Sequence, residues 1–263
     1  MDYIYKIPKK YFYGSAITLI QEIIELNKKK NVKIKLNLIS KNKQYLDYFN
    51  IVSYLDLNIK ILKNRHHYNT INLNKVLNKK ISYSLQNLIK ISKLRKEKPK
   101  LFFKKKYINL VKTKLKKKNI KKFICVHIKE SFNKSNFREI RLWEKLLKFM
   151  PKEYSIIFLK SYKYKKNFNK NKNVLFLDPK NIYMEPILSQ ICKFFLASAS
   201  GFCSFAIFSN VPYLLIKKPK EHIEQIKSEI KFNRLKFASN KQYLIRAEMG
   251  NIKKILSYVK KIK

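Results

Sequence analysis

The stretch FFLASASGFCSFAIFSNVPYLLI, Phe194 to Ile216, has a lysine on each side and no charged residue inside it. Its length admits a membrane helix, which needs about 20 consecutive apolar residues. Its interior does not. Ser198, Ser200 and Gly201 cluster toward one end, and Asn210 and Pro212 interrupt the other, so several short elements fit better than one long helix. The reading is strand, turn, helix, turn, strand. KFFLA (193–197) is then a strand buried on both faces, which explains why it does not alternate. SASG is the turn and N-cap region, and FCSFAIFS is a short buried helix leading through Asn210 to the strand PYLLI (212–216).

Working outward, the same alternation recurs. Upstream lie the strand FICVHI (123–128), a helix over about 139–149, the strands YSIIFL (154–159) and VLFL (174–177), and a helix over 184–191. Trp143, Leu146, Leu147 and Met150 make the core face of the first of these helices. Downstream, helices are expected over 220–231 and 241–261. The first half opens with DYIYKI (2–7), followed by FYGSAITLIQEIIELNKKK, where Ile17, Ile20, Ile24 and Leu26 share a helical face. VKIKLNLI (32–39) alternates strictly and reads as a strand. A short helix (42–49), strand-like pieces near 51–55 and 59–62, and two polar helices (73–95 and 104–118) separated by Pro99 complete this half. Strands separated by helices imply parallel sheets with right-handed crossovers. The expected fold is α/β with two Rossmann-like domains, 1–119 and 120–263, the boundary lying in the lysine-rich KLKKKNIKK (114–122).

The chain has 263 residues, 46% of them hydrophobic, enough for packed cores. Lys and Arg number 61 against 16 Asp and Glu, a formal charge of +45. Such a balance attracts phosphate polymers and anionic lipid surfaces. Composition supplies a second reading. Lysine, asparagine, isoleucine, phenylalanine and tyrosine abound while glycine is scarce, as in translation of an A/T-rich genome. Arginine, which base readout favours, stands only at 65, 95, 138, 141, 234 and 246. No zinc finger, RNP aromatic signature or contiguous basic arm is present, so nucleic acid is not the expected partner. Cys125, Cys192 and Cys203 sit among apolar residues without a C-x-x-C pair and read as buried thiols in a reducing compartment. MDYIYKIPKK lacks an apolar signal core, so a cytoplasmic location is expected.

In a parallel α/β sheet, ligands bind beyond the carboxyl ends of strands, where helices begin. The SASG turn there offers backbone N–H groups, hydroxyls and the positive end of a helix dipole, which suit a phosphate or diphosphate. Ordinary capping accounts for the same residue types. His66 and His67 in KNRHHYN read as a solvated loop pair. Glu130, Arg138, Glu139 and Arg141 flank the polar loop SFNKSNFREIR, and Asp178 and Glu185 precede prolines beyond strands, where ribose contact and turn chemistry are both open. The helix 104–118 has Tyr107, Ile108, Val111 and Leu115 on one side and lysines elsewhere. That pattern suits either an anionic membrane or an ordinary amphipathic surface helix.

Taken in order, CVHIKES (125–131) and LASASGFCSFAIFSNVPYLLI (196–216) resemble the C-terminal nucleotide-sugar domain of GT-B glycosyltransferases. The likeness is to heptosyltransferase-like and fucosyltransferase-like groups, which carry a strand ending in a His-x-Arg-type motif and later a Ser/Gly turn before "G-V-P". It covers about half the chain. The resemblance implies a donor site with His127 and Lys129 at its rim, Lys129 replacing the usual arginine. Ser198, Ser200, Gly201 and Phe202 would cradle the diphosphate, and Lys160, Ser161 and Glu185 would lie toward the nucleoside. YGSAITLIQEI looks like the glycine turn and first helix of the acceptor domain, with Gly14 and Ser15 at that turn. Related enzymes place an acid there, so the catalytic base stays unassigned. The implied activity is transfer of a sugar from a nucleotide-diphosphate donor to a glycan or lipid-linked acceptor in bacterial surface polysaccharide or lipopolysaccharide assembly. No D-x-D metal motif is seen, so no metal or cofactor is expected, and peripheral contact with an anionic membrane would fit the acceptor. The rival readings are a basic nucleic-acid-binding protein and a non-catalytic GT-B-like binding protein.

Overall fold

The alternating run that reads as a strand at 34–39 is the second strand of a four-stranded parallel sheet. The structure is a computed structural model and describes residues 1–28, 33–64, 70–77, 84–129, 136–161, 164–168, 173–177, 181–218, 227–247 and 251–262. The chain divides into two compact units, Met1–Tyr107 and Ile108–Lys263.

The first unit carries β1 (Asp2–Lys6), β2 (Ile34–Ile39), β3 (Ile59–Lys63) and β4 (Ile71–Asn72) in the order β3-β2-β1-β4, all parallel. Helix α1 (Tyr13–Asn27) buries Ala16, Ile17, Leu19, Ile20 and Ile23. Ile23, rather than Ile24, continues the apolar face, because the helical period of 3.6 carries it from Ala16 and Ile20. After α2 (Lys43–Asp47), the segment expected to be extended near 51–55 is a 3₁₀ helix, Tyr48–Tyr54. Phe49, Val52 and Leu55 recur every third residue and are all buried, the period of that helix and not of a strand. The expected polar helix over 73–95 is two helices, α3 (Leu73–Leu77) and α4 (Gln86–Arg95). Ser84 Oγ accepts the Gln86 N–H at 3.2 Å, a side-chain turn that starts a new helix.

The division between units falls inside α5 (Lys105–Lys117). Val111 and Leu115 on its apolar side are buried, the state of an amphipathic helix with its stripe packed inward. The second unit has six parallel strands: β5 (Phe123–His127), β6 (Ser155–Phe158), β7 (Val174–Phe176), β8 (Phe195–Ser198), β9 (Tyr213–Lys217) and β12 (Gln242–Arg246). Their order is β12-β9-β8-β5-β6-β7. The chain therefore builds outward from β5 to β7 on one side, then returns to place β8, β9 and β12 on the other. Trp143 from α6 (Asn136–Lys148) is fully buried with Leu146, Leu147 and Met150 against the sheet residues Ile124, Val126, Phe158, Leu214 and Ile245. α7 (Lys165–Phe168) adds Phe168, stacked on Phe158.

Phe194 to Ile216 is confirmed as several elements. β8 leads to the 3₁₀ turn Gly201–Cys203 and α9 (Ser204–Ile207), and the chain enters β9 after Asn210. Among the described residues no helix is long and apolar enough to cross a membrane. The expected helix over 241–261 is instead β12 followed by the helix Ile252–Ile262. A short apolar run such as YLI (243–245) carries no period that separates helix from strand, and parallel pairing with β9 decides it. Residues 230–231 of the expected helix over 220–231 pair with 234–235 as the antiparallel hairpin β10 (Ile230–Lys231) and β11 (Arg234–Leu235). Residues 219–226 lie outside the described set.

Candidate functional site

In the second unit the strand order reverses between β5 and β8. Crossovers leave these neighbours toward opposite faces, which opens a crevice beyond their carboxyl ends. His127 ends β5, and Ser198 ends β8. Within the otherwise buried run from Phe194 to Ser209, Ser198, Ala199, Ser200 and Gly201 alone are partly exposed. The pattern of burial itself thus marks this turn as the place where the sheet meets solvent.

His127 bridges the reversal. Its Nδ1 lies 2.9 Å from the Leu159 carbonyl and its Nε2 lies 2.8 Å from Ser200 Oγ. Burial holds the imidazole down at about 4; the Leu159 carbonyl opposes that shift, and the charges of Lys160 and Lys129 add to it. The ring is therefore neutral near pH 7. A carbonyl only accepts, so Nδ1 carries the hydrogen, and Nε2 must accept the Ser200 hydroxyl proton. Ser200 consequently presents oxygen lone pairs in this tautomer, while backbone N–H groups at the start of the 3₁₀ turn supply donors. Cys203 stabilises the turn from beneath, its Sγ donating to the Ser198 carbonyl at 3.5 Å. Burial pushes this thiol up to about 11.

The neighbouring loop is fixed with equal economy. Ser161 Oγ, fully buried, accepts the Ile128 N–H at 3.0 Å and donates to the Leu159 carbonyl at 2.8 Å, tying the end of β6 to the end of β5. Lys160 has φ of 49°, a left-handed conformation unusual for lysine. Glu185, in the first turn of α8 (Met184–Ile191), holds it there: one carboxylate oxygen accepts the Lys160 N–H at 2.7 Å and the other lies 3.2 Å from its ammonium. The Glu185 side chain is 3% exposed and that of Lys160 54%. The ammonium thus stays at the surface while its backbone is locked.

Of the residues expected at the donor site, His127, Ser200, Lys160, Ser161 and Glu185 are joined through the ends of β5, β6 and β8. Lys129 is exposed two residues beyond His127, and its charge acts on His127 and Cys203. His127 is not a rim residue; it lies beneath the turn and orients Ser200. Phe202 turns its ring into the core, 5.2 Å from the His127 ring centre and 5.8 Å from that of Phe205, so its side chain does not line the turn. Gly201 does not have positive φ, nor does any described glycine; what it contributes is the missing Cβ. The Leu159 carbonyl and Cys203 have roles that sequence alone did not signal. Gly14 and Ser15 belong to the first unit, in the first turn of α1 and not in the loop before it. Gly14 O accepts the Thr18 hydroxyl at 2.8 Å, and Ser15 is fully buried. His66, His67, Glu130 and Asp178 lie outside the described residues, as do the side chains of Arg138 and Glu139. Among the described residues no group of three or more His, Cys, Asp or Glu is placed to hold a metal ion.

No protein-family model matches the chain, and no curated protein matches it. Solved structures do. A glycosyl transferase family 9 protein from Veillonella parvula superposes with a TM-score of 0.57 at 11% identity, covering 100% of this chain and 90% of that one. The E. coli heptosyltransferase WaaC with ADP gives 0.53 at 10% identity over 100% and 99%. E. coli ADP-heptose lipopolysaccharide heptosyltransferase II gives 0.54 at 9% identity over 100% and 98%. Identities this low speak to fold alone. With its two parallel α/β units and near-complete coverage in both directions, the chain has the GT-B-like double-Rossmann fold that these heptosyltransferase structures share.

Proposed function

We propose that this protein is a glycosyltransferase that moves a sugar from a nucleotide-diphosphate sugar to a glycan or lipid-linked acceptor in bacterial surface polysaccharide assembly, working at the inner face of the membrane. The observation that carries this reading is the His127–Ser200 pair bridging the strand-order reversal of a sheet whose fold is that of sugar-nucleotide transferases. In this reading residues 1–119 form the acceptor side and 120–263 the donor side.

Transfer breaks the bond between the sugar's anomeric carbon and the diphosphate oxygen, and the electron pair leaves with the diphosphate. The acceptor oxygen forms the new bond, and its proton passes to a general base or to water. The departing charge is the main energetic demand. Backbone amides of Gly201 and Phe202 and the ammonium groups of Lys129 and Lys160 meet it without a metal. Ser198 and Ser200 line the same turn, with Ser200 accepting from a donor hydroxyl while its own O–H donates to His127 Nε2. Ser161 and Glu185 act one layer below, as the scaffold that positions Lys160 beside the nucleoside.

Thermal melts against a panel of nucleoside diphosphates and their sugars test the reading. At least one is expected to raise the melting temperature of the native chain, and Gly201→Leu, folded by circular dichroism, is expected to lose the response. A folded native chain that responds to none of the panel refutes the donor site. Tight, steeply salt-dependent oligonucleotide binding with no nucleotide response would favour the basic nucleic-acid reading instead.

A further inference from the structure

Between β9 and β12 the hairpin β10–β11 turns through Phe232 and Asn233, both with positive φ, 51° and 58°. A two-residue turn of this kind favours asparagine, aspartate or glycine. Asn233 fits; Phe232 does not, because a bulky side chain is disfavoured in that region. Phe232 is nevertheless 82% exposed, more than any other large hydrophobic residue among the described residues. Among the described residues the ring has a contact with the Lys231 ammonium and lies in no aromatic pair.

Its surroundings are cationic. The Lys231 ammonium lies 5.2 Å from the Phe232 ring centre, and Lys231 pairs directly across the hairpin with Arg234, a like-charge arrangement unfavourable in a bare hairpin. The tip is held firmly. Asn233 O accepts the Leu244 N–H at 2.8 Å, and Asn233 Nδ2 donates to the Tyr258 hydroxyl at 2.7 Å. Lys261 lies over the Tyr258 ring at 4.7 Å. The one carboxylate in 227–247 and 251–262, Glu229, is buried.

We propose that this hairpin tip is a docking point for an anionic lipid surface. Phe232 enters the headgroup layer, and Lys231 and Lys261 meet lipid phosphates. The charge complementarity is one-sided, and a single exposed aromatic beside the Lys231 ammonium suits shallow insertion. The apolar side of α5 cannot serve, since Val111 and Leu115 are already buried. The inference stands apart from the transferase reading, because its test reads lipid binding and not sugar chemistry.

The test is flotation of the full chain with vesicles of phosphatidylcholine alone or mixed with phosphatidylglycerol. Binding is expected only with the mixture. Phe232→Ala should weaken it roughly tenfold, and Lys231→Glu with Lys261→Glu should remove the preference for phosphatidylglycerol. Phe232→Trp gives a second readout: its emission should shift to the blue and be quenched by brominated acyl chains, while the buried Trp143 is unaffected. Equal binding by Phe232→Ala together with an unquenched Phe232→Trp would overturn the proposal, leaving only diffuse charge attraction. A Phe232 requirement seen on single-stranded oligonucleotides and not on vesicles would overturn it too.

Discussion

Glu185 grips Lys160 twice, through the backbone N–H at 2.7 Å and through the ammonium at 3.2 Å. One buried carboxylate thereby sets both the conformation of a strand-end residue and the position of its charge. Replacing Glu185 with alanine removes both contacts and is expected to cost about 1–3 kcal/mol. Lys160→Gly and Lys160→Ala lose the same ammonium, but glycine accepts φ near 49° without strain. Lys160→Gly should therefore be the more stable of the two by about 1 kcal/mol, measured by urea denaturation, while nucleotide response falls equally in both.

The His127 imidazole protonates near 6.5 in an unfolded chain and only near 4 when buried here. Between those values the unfolded state binds more protons, so stability rises with pH across the window. The contribution, on the order of 3 kcal/mol, is complete above pH about 6.5 and disappears as pH falls toward 4. Melting curves from pH 7.5 to 4.5 should show a steeper loss in the native protein than in His127→Asn. Equal slopes would mean that the ring titrates elsewhere.

Gly201 needs no special backbone freedom, since its φ is not positive. Gly201→Ala should leave stability unchanged or raise it by up to about 1 kcal/mol, because alanine is the better helix former. Nucleotide affinity should fall all the same, since a Cβ now occupies the approach to the turn. Stability and binding moving in opposite directions, read in one set of thermal melts, is the expected signature.

Cys125, Cys192 and Cys203 are buried, and burial pushes the Cys125 thiol well up and that of Cys203 to about 11. Native protein at pH 8 should resist iodoacetamide at all three positions, whereas the denatured chain should take up three equivalents by mass spectrometry.

Phe232→Asn places a residue suited to positive φ in the hairpin turn and should stabilise the chain by about 1 kcal/mol, a rise of a few degrees in Tm. The same change removes the aromatic apex, so vesicle binding should weaken as stability grows.

The parallel α/β layers were legible because Val, Ile, Leu and Phe runs such as CVHI and FFLA are broken by polar, helix-length segments at the intervals crossovers require. The polar turn at Ser198–Gly201 stood out for the same reason, as hydroxyls inside an uncharged run. Segments without their own period were not legible. YLI (243–245) became β12 through pairing with β9, and Phe49, Val52 and Leu55 adopted a three-residue repeat that a strand reading overlooks. The buried position of His127 also escaped, because its depth depends on Leu159 and Ser200, 32 and 73 residues away in sequence.

The strand order has a consequence for synthesis. β9 lies between β8 and β12, and β12 comes from residues 242–246 of a 263-residue chain. Until residues 242–246 have been made, the apolar YLLI of β9 has one ladder edge unpaired, an adhesive template for neighbouring nascent chains. Units of this kind tend to fold in order from the amino terminus. Chains cut short before residue 242 should therefore clump, however well their first unit has folded.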